Sequence, residues 1–138
     1  MSGNDTPAPG SWQAFSAAAI GSGQLSLDPD KMRECINYCE DYIENLRQLQ
    51  DRANRELYYE TLGIGEADIE TSRLIVQKFQ HKARGGGQIA DESSAVGYLQ
   101  AHIKYARDLR DSLQAVLDAY LATDSQSADG YHSIGTNQ

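Results

Sequence analysis

The sequence has no apolar run approaching the ~18 residues that a membrane-spanning helix needs. It also has no stretch of alternating apolar and polar residues of the kind that forms half-buried strands. Basic residues are few, with 12 Lys and Arg against 20 Asp and Glu and a net charge of −8. Nucleic acid is an unsuitable partner for such a chain, because binding it needs a basic stripe that displaces counterions. Anionic membrane surfaces are excluded on the same ground, and no stable membrane insertion is expected. The first 24 residues contain no Lys or Arg, and their apolar piece, Phe15 to Ile20, is short and Ala-rich. A secretory signal needs a basic start and ~7–15 apolar residues, so general secretory export is not expected.

Groups that build catalytic or metal sites are equally sparse. The only cysteines, Cys35 and Cys39, lie four apart within a helical pattern. Neighbours on one helix face are poorly placed for an unstrained disulfide. They read first as small buried apolar residues, with a cross-chain disulfide or a metal site as the alternatives. No His pair stands with them at zinc-ligand spacing. His81, His102 and His132 are far apart, and the Glu-x-x-His motif of di-iron bundles is missing. No Ser, His and Asp set announces itself. The expectation is a protein without enzymatic activity, metal or cofactor.

What the chain does have is helical periodicity. With 138 residues, one domain is the expectation. Asp28 is an N-cap, Pro29 takes the first helical position, and Asp30 lies in the first turn. An apolar stripe follows through Met32, Cys35/Ile36, Cys39, Tyr42/Ile43, Leu46, Leu49, Ala53 and Leu57, close to a heptad pattern at 35, 39, 42, 46, 49 and 53. This predicts a helix over 28–60. Leu62-Gly63-Ile64-Gly65 is the turn after it, since two glycines supply positive φ and halt a helix. A helix over 66–84 carries Glu66, Asp68 and Glu70 at its start and Lys78, His81, Lys82 and Arg84 at its end, the polarity that the helix dipole favours. Gly85-Gly86-Gly87 would cost about 3 kcal/mol inside a helix, so a loop is placed at 85–90. The last helix, over 91–124, has Asp91 as candidate N-cap and a stripe through Val96, Leu99, Ile103, Ala106, Leu109, Leu113, Val116/Leu117 and Tyr120.

The fold expected is therefore all-α: a long antiparallel helical hairpin or a three-helix bundle, according to whether the chain continues or reverses at the glycines. Residues 1–24 read as a disordered arm and 125–138 as a disordered tail, flanking a helical domain over 25–124. In the arm, Trp12 and Phe15 either dock on a partner or fold back on the core. Thin helical rods cannot bury a full core alone. Dimerisation into a four-helix-like bundle is the expected completion. Tyr42, Leu46, Leu49, Leu57, Ile103, Leu109, Leu113 and Val116 are the interface candidates. Tyr38, Tyr42 and Tyr58-Tyr59 form either an aromatic contact surface or a partly buried set.

The final helix ends in Tyr120-Leu-Ala-Thr-Asp124, after which a polar stretch begins at once. With the helix–Gly turn–helix centre at Leu62 to Gly65, this resembles the small helical-hairpin substrates of actinobacterial type VII (ESX) secretion: the WXG-motif, PE and EspC-like secretion-associated proteins. The resemblance covers residues 25–128. It implies that Tyr120 and Asp124, which share a helix face, form part of an export signal of the type Tyr-x-x-x-Asp. It implies a secreted or cell-envelope-associated protein made in the cytoplasm, exported without a cleaved signal peptide, with a secretion ATPase as receptor. Its partner would be itself or a paralogous hairpin protein. The Trp-x-Gly turn of the family is absent, since the turn reads Leu-Gly-Ile-Gly and the lone tryptophan is Trp12. A partner bearing the Trp-x-Gly turn would fit a chain that bears the tail motif. The alternative is an intracellular helical adaptor, chaperone or immunity-type partner protein.

Overall fold

A computed structural model describes residues 11–22 and 27–135, with only the backbone path for 22 and 126–135. Four helices account for most of it: α1 (Trp12–Ser22), α2 (Pro29–Glu56), α3 (Glu70–Arg84) and α4 (Ala95–Gly135), with a single 3₁₀ turn at Asp91–Ser93. There is no strand among the described residues beyond an isolated bridge between Gly86 and Ile89. The all-α class follows from the sequence periodicity; the helix ends differ from expectation at several points.

Helix α1 replaces part of the expected disordered arm. Ala14, Ala17, Ala18 and Ala19 are the strongest helix formers, and Ser11 caps them by accepting the Ala14 amide at 3.1 Å. The rest of the arm, 1–10 and 23–24, lies outside the described residues. Helix α2 starts as read, with the Asp28 carboxylate accepting the Asp30 amide at 3.0 Å. It stops at Glu56, short of 60. Arg84 supplies the reason: its guanidinium donates to the Asn54 carbonyl at 2.9 Å and stacks 3.6 Å above the Tyr58 ring. A last-turn carbonyl thus has a side-chain partner, and the following tyrosine is held outside the helix.

Helix α3 begins at Glu70 rather than 66, because Glu66 folds back onto the preceding turn. Helix α4 is capped by Ser94, not by Asp91. The Ser94 hydroxyl accepts the Gly97 amide at 3.0 Å and donates to the Asp91 carbonyl at 2.9 Å, while Asp91 opens the 3₁₀ turn. Gly97 is needed there, since a Cβ on it would lie 1.7 Å from the Asp91 carbonyl oxygen. At its far end α4 runs past the expected stop at 124 to Gly135. No proline lies between those positions to break it, and adding residues to an existing helix is far easier than nucleating one.

The chain divides into two units, Met1–Glu40 with Arg107–Gln138 and Asp41–Ala106, so α2 and α4 each contribute a segment to both. In the second unit Ile43, Leu46, Ile103 and Ala106 form the core, with Leu99 packed against them. The two helices run antiparallel there. Gln50 reaches from α2 to the Val96 carbonyl at 3.3 Å and the Gln100 side chain at 2.9 Å, while Ile43 lies further along with Ala106. Helix α3 approaches the end of α2 from beyond it, with Gln80 donating to the Tyr59 carbonyl and Arg84 to that of Asn54. It therefore runs in the same sense as α4. The glycine loop carries the chain onward, and this unit is a hairpin with α2 as one arm and α3 then α4 as the other.

In the first unit Ile36, Cys39, Val116 and Leu117 are buried, together with Ser16 and Ser112. Cys39 fills the apolar role expected of it, and burial raises its thiol pKa, with the neighbouring Cys35 adding to the rise. Cys35 is instead exposed, and both are free thiols. Trp12 and Phe15 meet edge to face at 6.0 Å within α1, with Phe15 65% exposed.

Truncating the best-buried core residue, Ile103→Ala, is expected to lower stability by about 2–5 kcal/mol in urea unfolding. Gly97→Ala is expected to lower it by about 1–3 kcal/mol through the collision with the Asp91 carbonyl. Unchanged unfolding midpoints would contradict the packing described.

Candidate functional site

Three places hold the side chains singled out by the sequence: the turn between α2 and α3, the surface of the two long helices, and α4 around Tyr120. The turn is the most ordered in its polar contacts. Gly63 and Gly65 sit at φ +69° and +85°, a region that L side chains avoid. Their backbone brings successive amides to face one point. The Glu66 carboxylate occupies that point, accepting from Leu62 N at 2.8 Å, Gly63 N at 3.1 Å and Ile64 N at 2.9 Å, and from the Thr61 hydroxyl. Such an array of amides is an anion-binding concavity. The Thr61 hydrogen bond first, then the backbone hydrogen bonds, lower the Glu66 pKa to about 2. Ile64 lies 42% exposed at the tip.

The interface candidates divide. Leu46, Ile103 and Val116 are buried within the chain itself, so they are core and not contact residues. Leu46 and Ile103 meet across α2 and α4, whereas Val116 is buried in the other unit. Leu109 and Leu113 are half-buried. Tyr42, Leu49 and Leu57 remain between 43% and 48% exposed. Tyr38 and Tyr59 are also exposed, whereas Tyr58 is half-buried beneath Arg84. Two further apolar surfaces are exposed. On α3, periodicity gives one stripe through Ile69, Ser72, Ile75/Val76, Phe79 and Ala83, but Val76 and Ala83 are buried while Leu74, Ile75 and Phe79 are exposed. A pattern alone does not say which of two adjacent apolar rows is covered. The other surface, Tyr98 and Tyr105 on α4, had no such signal.

Tyr120 and Asp124 lie one turn apart on α4, Tyr120 half-buried and Asp124 exposed. They stand within the helix rather than at its end. Between them the Thr123 hydroxyl donates to the Ala119 carbonyl at 2.9 Å, a bond that keeps this side chain against its own helix.

Among the described residues, no three His, Cys, Asp or Glu side chains converge in a way that would hold a metal ion. Among them, too, no helix is long and apolar enough to cross a membrane. Comparison with known proteins finds no matching family model, no similar curated protein and no similar solved structure.

The turn gives a pH prediction. The Glu66 pKa is depressed in the folded chain relative to its ordinary 4.5. Its stabilisation of the turn is then complete above pH 4.5 and lost as the pH falls towards about 2. The amide shifts of Leu62, Gly63 and Ile64 are expected to titrate with a midpoint near 2, and Glu66→Gln to abolish that titration. A midpoint near 4.5 would mean that the carboxylate is not held by these amides.

Proposed function

We propose that this chain is a non-enzymatic substrate or co-substrate of an actinobacterial type VII secretion system, acting through helix-bundle association. The observation that carries the reading is the pairing of Tyr120 with Asp124. One helical turn separates the two, so a ring and a carboxylate stand side by side on α4. A receptor, in this reading a secretion ATPase, grips that pair. The hairpin of α2 against α3 and α4, with a glycine-bearing turn at Leu62 to Gly65, agrees with the helix–turn–helix architecture of such substrates. Association with a second helical hairpin uses the apolar side chains that the chain leaves exposed, Tyr42, Leu49 and Leu57 on α2 and Leu74, Ile75 and Phe79 on α3. In this reading the protein is made in the cytoplasm and exported by that system.

The test is secretion from an actinobacterial host with an intact type VII system, with culture filtrate compared with cell pellet by immunoblot. Wild type is expected in the filtrate. Tyr120→Ala and Asp124→Arg are expected to remain in the pellet with unchanged circular dichroism. Export that survives both substitutions removes the signal assignment. Retention of the wild type favours the intracellular adaptor instead.

A further inference from the structure

We infer that a cleft between α2 and α4 binds a cationic side chain, an arginine borne by a segment of another protein. The cleft has a volume of about 540 Å³ and is lined by Tyr42, Glu92, Tyr98, Ala101, His102 and Tyr105. All six residues belong to the Asp41–Ala106 unit. The inference uses neither Tyr120 nor Asp124, so failure of the export signal leaves it standing, but it shares Tyr42, Leu49 and Leu57 with the association surface proposed above.

Aromatic rings carry negative charge on their faces, and a cation set over them is attracted. Tyr98, His102 and Tyr105 recur at spacings of four and three, so α4 presents them as one row. The rings of Tyr98 and His102 meet at 4.5 Å and 62°, a contact that holds both in place before any ligand arrives. Tyr42 faces them from α2. Tyr42, Tyr98 and Tyr105 are 43%, 57% and 55% exposed, unusual for side chains of this size. The Glu92 carboxylate adds a full negative charge, and no Lys or Arg lines the cleft.

This combination selects by chemistry. An anion would meet a carboxylate and ring faces. A purely aliphatic anchor would leave the Glu92 carboxylate without a counter-charge. A guanidinium offers a flat face for the rings and a fork of donors for the carboxylate. Elsewhere in the same unit the chain already joins these groups, with Arg84 lying 3.6 Å above Tyr58. A second copy is a poor donor of the arginine, because two chains of net charge −8 repel one another. A basic segment of a different protein is drawn in by the same charge. A second cleft shares Tyr98 with the first and has Leu49, Ala53, Leu57 and Leu99 as its apolar lining; its Arg52 is ion-paired with Glu56 at 3.3 Å. The partner segment therefore carries an apolar residue next to its arginine.

The experiment titrates the full chain with a short amphipathic helical peptide bearing one arginine beside leucines. Its comparison is the same peptide with citrulline, which keeps the shape and loses the charge. Ring-proton shifts and titration calorimetry report location and affinity. The arginine peptide is expected to move the ring signals of Tyr42, Tyr98 and Tyr105. Citrulline in the peptide, or Glu92→Gln in the protein, is expected to weaken binding about tenfold. Tyr98→Phe keeps the ring and is expected to retain binding, whereas Tyr98→Ala loses it. Equal affinity for the citrulline peptide overturns the proposal in favour of an apolar seat. Perturbations away from the cleft, or no binding of the arginine peptide, also overturn it. So does a self-association seen by sedimentation that Tyr98→Ala removes, since the occupant would then be a second copy.

Discussion

The pairing of α2 with α4 in the Asp41–Ala106 unit depends on one apolar seam, where Ile43 and Leu46 of α2 meet Ile103 and Ala106 of α4. These side chains repeat at spacings of three, so each helix offers a narrow line rather than a broad face. A narrow line buries little on either side and leaves flanking rows uncovered. That geometry explains why Ile103 is almost wholly buried while Tyr105, two residues on, is more than half exposed. The Gln50 contacts to Val96 and Gln100 fix the register of the seam, since a slip of one turn would leave that amide without its partners.

The glycine loop has its place for a related reason. With α4 seated on α2 and α3 arriving from beyond the end of α2, only a link that adds no reversal can join them. Positive φ at Gly85, Gly86 and Gly87 lets the backbone make that link, and a Cβ on Gly87 would lie 2.6 Å from the His81 ring. Arg84 ties the same junction to the end of α2 through Asn54 and Tyr58. The arms of the hairpin are thus joined at their corner by a cation and a ring, and not by apolar packing alone.

Much of this was readable in the sequence, where the signal was local and periodic. The Asp28-Pro29-Asp30 start of α2, the glycines after it and the α2 stripe each follow from short-range rules. Other features had no such signal. Asp91 and Ser94 are both good caps by type, and only the 3₁₀ turn before α4 decides between them. Glu66 looks like a first-turn acid of α3 until its carboxylate is found on the turn amides. Among the interface candidates, Leu46 and Leu49 are alike in sequence. Leu46 is buried against α4 while Leu49 borders a cleft beside it and stays 47% exposed, a difference of about 60° around the helix once whole turns are removed. For α1, alanine content outweighed the absence of an amphipathic pattern.

The continuation of α4 beyond Asp124 means that Tyr120 and Asp124 are carried within a helix rather than at its end. Their bearing around the helix is set by residue count from Val116 and Leu117, which are buried in the same unit. One inserted residue between Leu117 and Tyr120 would swing the pair by about 100° while leaving every atom of the pair unaltered. Anything that reads this pair therefore reads a compass direction as well as a chemical identity.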